Sequence, residues 1–184
     1  MRIIADLHLH SKYAGATSQR SDLDSFSEWA KYKGVKLLGT ADFCHPLWLK
    51  ELKEKLKDLG NGIFEYNKTR FILQNEVSTV YVKNGKTRKV HHIIYAPSFE
   101  IVDQIIDAFG KKGNLNNLKA DGRPTFSIDS SELVEIIMGI SKDNEVVSAH
   151  CMTPWFGVFG SKGGFDSLEE CYEDQTKHLS LIHI

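Results

Sequence analysis

The residues best suited to chemistry in this chain are imidazoles and carboxylates: His8, His10, Asp42, His45, Glu76, His91, His92 and His150. His8 and His10 lie in Asp6-Leu7-His8-Leu9-His10-Ser11, directly after the apolar run Ile3-Ile4-Ala5. Side chains alternate along an extended strand, so the two imidazoles share a face about 7 Å apart and can converge on one metal ion. A strand end carrying two solvated histidines would look the same, so the downstream residues decide between the readings. A carboxylate among imidazoles suits a polynuclear site, because Glu can bridge two cations while neutral His ligands complete each shell.

The elements that must position these residues follow from periodicity. After the opening strand, residues 11–21 read as a polar loop. A helix then starts at Ser21-Asp22-Leu23-Asp24 and stops at Gly34. Val35 to Leu38 fits a short buried strand and Leu47 to Leu59 an amphipathic helix closed by Gly60. Phe71 to Glu76 is a strand that continues through Val77–Val82 to an Asn84-Gly85 turn, with Val90 to Tyr95 returning as a hairpin. Phe99 to Phe109 is helical and 110–125 a surface loop. A further helix follows Asp129-Ser130-Ser131-Glu132, Glu145 to His150 is a strand, and Asp166 to His178 a last capped helix. Strands alternating with helices favour a parallel α/β sheet, and the potential ligands fall at strand carboxyl ends, where (β/α) barrels carry their sites.

Composition bounds the rest. The 184 residues are 41% hydrophobic and 26% charged, an ordinary composition for one domain with a sizeable core. A net charge of -1 gives no general case for nucleic acid, although a local basic groove is compatible with it. The three cysteines, Cys44, Cys151 and Cys171, have no CxxC spacing and fit a reducing, cytoplasmic setting. No secretory leader and no membrane-spanning stretch is expected. Only about five strand-helix units fit, fewer than a closed barrel needs. Residues 179–184 share no pattern with the helix before them, so residues 1–178 are expected to be a domain lacking its last strands and 179–184 a non-native tail.

The His-x-His after the first strand, Thr40-Ala41-Asp42, Glu76, His92-Ile93-Ile94-Tyr95 and His150 together resemble the polymerase and histidinol phosphatase (PHP) superfamily. The resemblance covers the chain to about His178. Segments 8–13, 39–43, 45–49 and 153–160 are most similar to endonuclease Q and its bacterial relatives. It implies a distorted (β/α)7 barrel, incomplete here, with two or three divalent ions (zinc, manganese or magnesium) used for phosphoester hydrolysis. It further implies that His8, His10 and Glu76 hold one metal and Glu76, His92 and His150 another. Asp42 stands where many members have a His and is expected as a metal ligand, at a third ion, and Glu76, His150 and Asp42 are the expected catalytic groups. The expected activity is cutting of DNA on the 5′ side of deaminated bases and abasic sites. The alternatives are a phosphomonoesterase of the histidinol-phosphatase type and a non-catalytic, metal-stabilised domain.

Other residues have plainer readings beside the functional ones. Neighbours on a strand alternate, so His91 and His92 cannot both face inward; the motif's register selects His92 and leaves His91 outside it. His45, before Pro46, is either a ligand or a loop residue. Cys151 fits a small buried thiol better than a nucleophile, for want of a separate base. Trp155, Phe156 and Phe159 could stack on an extruded base or simply pack a glycine-hinged loop. Lys83, Lys86, Arg88 and Lys89 could meet phosphates or form a solvated hairpin tip.

Overall fold

Short apolar runs closed by glycines and capping side chains set the order of elements, and the result is a mixed α/β fold. A computed structural model describes residues 2–113 and 122–181. The chain divides into two units, Met1–Asn75 with Tyr95–Asp103 and Asn116–Arg123, and Glu76–Ile94 with Gln104–Leu115 and Pro124–Ile184. Part of the expected 110–125 loop and the last three residues of the expected tail lie outside the described residues.

In the first unit, β1 (Ala5–Asp6) runs parallel to β2 (Leu37–Gly39), and β2 parallel to the first part of β5 (Thr69–Lys83), with Ala5 opposite Leu37 and Leu38 opposite Phe71. α1 (Leu23–Lys33) begins where the Asp22 carboxylate accepts from the Ser25 amide, and ends at Gly34, whose φ of 70° is left-handed. α2 (Pro46–Lys55) buries Trp48 and Leu52. It is shorter than the apolar spacing suggests: Leu56 turns extended, and β3 (Lys57–Asp58) pairs antiparallel with β4 (Phe64–Tyr66), which pairs in turn with β5. Leu56 and Leu59 keep helical spacing by chance, and strand pairing wins.

β5 is the organising strand. The Gln74 carboxamide oxygen accepts from the Leu9 amide at 3.1 Å and the Ala41 amide at 3.2 Å, tying together the loops that follow β1 and β2. A Cβ at Gly39 would lie 2.7 Å from that oxygen, so the glycine makes room for it. The Asn75 side chain accepts from Cys44 N at 2.7 Å, and the Trp48 indole donates to Thr40 O at 2.9 Å. Tyr95 OH donates to Leu7 O at 2.9 Å. Backbone groups that leave the sheet are thereby satisfied by buried side chains, and the segments carrying His8, His10 and Asp42 are held in place.

In the second unit, the later part of β5 pairs parallel with β7 (Thr125–Phe126), Ser78 opposite Thr125. Asn84 and Gly85, at φ of 54° and 71°, turn the chain into β6 (Lys86–Ala96). The second part of α3 (Phe99–Lys112) and α4 (Ser130–Ile140), which buries Leu133, Val134 and Ile137, add helical layers. β8 (Glu145–Ser148) neighbours β6 in the sheet. The expected final helix is a short α5 (Leu168–Tyr172), capped by Ser167, followed by a 3₁₀ helix over Glu173–His178. Leu179–Leu181, expected as part of a patternless tail, forms β9 beside β8 with Val146 opposite Leu179. No helix among the described residues is long and apolar enough to cross a membrane.

Replacing Gln74 by Leu removes the acceptor for the part-buried Leu9 amide and the buried Ala41 amide. At about 1–3 kcal/mol for each orphaned group, Gln74→Leu is expected to lower unfolding free energy by about 2–5 kcal/mol in urea titration. A change below about 0.5 kcal/mol would show that the tie does not hold the loops.

Candidate metal centre

The first unit brings His8, His10 and Asp42 together. The two imidazole rings lie 5.2 Å apart, nearly edge to face. His10 Nδ1 is 3.1 Å from Asp42 Oδ1, while Asp42 Oδ2 accepts from the Ser11 amide at 2.6 Å and the Ser11 hydroxyl at 2.7 Å. A carboxylate on Nδ1 fixes the ring and leaves Nε2 as the ligand atom. Asp42 is fully buried, and its backbone, like that of Ala41, is left-handed at φ of 23° and 63°. Non-glycine residues hold such conformations only where the surroundings impose them, commonly at functional sites. The backbone of Gly122 closes over it, since a Cβ there would lie 2.7 Å from Asp42 Cβ. His45 stacks on Tyr13 at 4.2 Å, and its Nδ1 accepts from Trp48 N at 3.4 Å, capping α2.

The second unit brings Glu76, His91 and His150 together. His91 Nδ1 is 3.1 Å from Glu76 Oε1, His150 Nε2 is 3.5 Å from the same oxygen, and the two ring nitrogens are 3.2 Å apart. Ligands about 2.0–2.1 Å from a tetrahedral cation stand about 3.3 Å from one another, so the three atoms form one face of such a shell. The donor set therefore fits a divalent ion. His150 Nδ1 is 2.8 Å from Thr153 Oγ1, and that hydroxyl lies 3.0 Å from His150 O and 2.9 Å from Trp155 O. If the hydroxyl donates to a carbonyl, Nδ1 carries the proton and Nε2 presents its lone pair to the centre. His150 is also left-handed, at φ of 31°. Phe156 stacks on the His91 ring at 4.2 Å, and its carbonyl accepts from the His91 amide at 2.9 Å.

His92, expected at this centre in preference to His91, faces the other way. Its Nε2 is 3.0 Å from Thr79 Oγ1 and its Nδ1 3.1 Å from Tyr172 OH, and the ring is fully buried. Burial, aided by neighbouring His91 and opposed by Glu76, pulls its pKa down to about 3. The parity of β6 carried the signal: Arg88, Val90, His92, Ile94 and Ala96 are buried on one face, whereas Lys89 and His91 on the other keep some exposure.

The remaining candidates separate. Cys44, Cys151 and Cys171 are buried and unpaired with one another. Burial, reinforced by Asp42, raises the Cys44 thiol well above its ordinary value, and burial pushes Cys171 up to about 12. Trp155 is 57% exposed, while Phe156 and Phe159 are half-buried. Arg88 is engaged by Glu170 at 3.0 Å and by Gly164 O, and Lys83 by Glu173 at 2.7 Å.

Two solved structures resemble the chain over most of its length. The lesion-specific endonuclease PfuEndoQ of Pyrococcus furiosus superposes with a TM-score of 0.80 at 32% identity, over 94% of this chain and 40% of that one. Endonuclease Q in complex with a duplex carrying an abasic lesion superposes at 0.79 with 33% identity, over 92% and 40%. These likenesses support the resemblance to the PHP superfamily. Within it, the chain is most like endonuclease Q. An uncharacterized protein of Methanocaldococcus jannaschii is 31% identical over 81% of this chain and 16% of its own length. YqxK of Bacillus subtilis, also uncharacterized, is 24% identical over 94% and 46%. The chain thus spans less than half the length of each of these relatives. No family model matches it.

His91 and His92 are separable by experiment. His91→Ala is expected to weaken manganese or zinc binding at least about tenfold with little loss of stability. His92→Asn leaves metal stoichiometry unchanged but destabilises the fold. A histidine whose pKa drops from 6.5 to about 3 on folding contributes stability that is present above 6.5 and lost as pH falls toward 3. His92→Asn should therefore flatten the loss of stability across that window in denaturant titrations, and an unchanged slope would contradict the assignment.

Proposed function

We propose that the chain carries the metal-binding part of a DNA endonuclease that hydrolyses the phosphodiester 5′ to a deaminated base or an abasic site. The observation that carries this reading is the triangle of Glu76, His91 and His150, in a chain about one-third identical to lesion-specific endonucleases. The barrel we infer is the distorted (β/α)7 form of the superfamily.

In this reading Glu76, His91 and His150 would hold one divalent cation, and His8 and His10 would be ligands of another. Such cations polarise a phosphoryl oxygen and make water an effective nucleophile at neutral pH. The chain's own residues prepare the site. Asp42 orients His10, Thr153 sets the tautomer of His150, and the Phe156 face and carbonyl hold His91. No protein nucleophile is required, and the buried Cys151 is not placed to be one. Selectivity rests on the cost of extruding a nucleotide, which is least for a lesion that pairs poorly. Exposed Trp155, three residues after the loop's Met152, is the aromatic surface on which an extruded base can stack.

The test is incubation of the manganese-loaded protein with uracil-, hypoxanthine- and abasic-site duplexes, with histidinol phosphate in parallel. Incision beside the lesions is expected, and turnover of the monoester alone would contradict the proposal. Trp155→Ala is expected to reduce the preference for uracil-containing over undamaged strands by about tenfold, in line with about 1–3 kcal/mol for stacking one base. An unaltered ratio would remove Trp155 from recognition.

A further inference from the structure

Alongside the candidate ligands, the second unit carries a basic cleft of about 500 Å³ between residues 86–89 of β6 and residues 159–166 of the loop after β8. The Arg88 charge is met by Glu170, which leaves Lys86, Lys89 and Lys162 against Asp166, an excess of two positive charges. The loop is wound on itself: Phe159 N donates to Cys151 O at 2.9 Å, Lys162 N to Pro154 O at 2.9 Å and Gly164 N to Gly160 O at 2.8 Å. A Cβ at Gly160 would lie 2.5 Å from Thr153 O, so the winding requires glycine there. The wound loop is attached to β6 by alternate amides, Lys89 N donating to Gly163 O and His91 N to Phe156 O, each at 2.9 Å.

That attachment gives the cleft a fixed position along the strand. Lys89 and His91 are two residues apart on the same face of β6, about 7 Å along the backbone. Lys89 Nζ lies 5.8 Å from the Trp155 ring centroid, which holds the ammonium beside the exposed aromatic. A nucleic-acid strand repeats its phosphates on the same length scale, whereas a phosphomonoester has no second phosphate to offer.

We propose that Lys89 and Lys162 each bind one backbone phosphate, the next two beyond the one positioned at Glu76, His91 and His150, so that the cleft follows a polynucleotide strand. The inference rests on the endonuclease reading and adds the residues that grip the substrate outside the metal centre. Each phosphate neutralised by a lysine releases counterions, and the logarithm of affinity then falls with the logarithm of salt by about 0.9 per contact on duplex DNA.

The experiment is fluorescence anisotropy of an abasic-site duplex with the manganese-loaded protein, from about 50 to about 200 mM salt. Lys162→Gln, an exposed loop substitution, should reduce the slope by about one, and Lys89→Gln with Lys162→Gln by about two. The double variant should weaken binding about tenfold at the lowest salt, while Lys111→Gln, at an exposed position of α3, leaves slope and affinity as in the wild type. If the wild type binds and incises DNA but both variants keep its slope, this inference is overturned and the endonuclease reading stands. If the wild type binds no DNA at all, both are overturned.

Discussion

A carboxylate that is almost fully buried among imidazoles is the constraint on which the second unit's chemistry depends. Glu76 is 1% exposed, and a carboxylate so withdrawn from water is tolerated only with cationic or hydrogen-bonding partners held at close range. His91 and His150 stand at that range. A metal-ligand set brings groups that prefer water into a dry site, and the surrounding fold must keep them together. Much of that work falls to β5, where Gln74 and Asn75 act as buried acceptors for loop amides and Glu76, next in sequence, supplies the carboxylate.

The same constraint appears at two of the residues with left-handed backbone. Asp42 and His150 both occupy left-handed backbone, and each is fixed by its surroundings: Asp42 by Ser11, His10 and the closing backbone of Gly122, His150 by Thr153 and the turn that follows. Strain of this kind persists where neighbouring contacts over-determine the conformation. Asp42 and Thr153 orient His10 and His150 through their Nδ1 atoms.

Much of this was legible in the residues. The order of α1, β2, β5, β6, α4 and β8 follows from capping signals and apolar runs, and the separation of His8, His10, Asp42, Glu76 and His150 across strand ends pointed to metal chemistry. What failed had local causes. β3 and β4 were hidden because Leu52, Leu56 and Leu59 keep helical spacing into a segment that pairs as strand. The last helix was overextended because an acidic, well-capped start says nothing about the tightening to 3₁₀ after Tyr172. Register chosen from a motif favoured His92, whereas the parity of Val90, His92 and Ile94 placed that ring in the core with Thr79 and Tyr172. Asp42 was expected as a ligand, and the structure places its carboxylate beside His10 Nδ1, a position that no spacing rule reveals.

The central claim is that Glu76, His91 and His150 form one metal shell. Anomalous diffraction from crystals grown with manganese tests it most directly. The account predicts an anomalous peak within bonding distance of Glu76 Oε1, His91 Nδ1 and His150 Nε2, with the His92 ring still between Thr79 and Tyr172. A peak bonded to His92, or none at the triangle under saturating manganese, would contradict it.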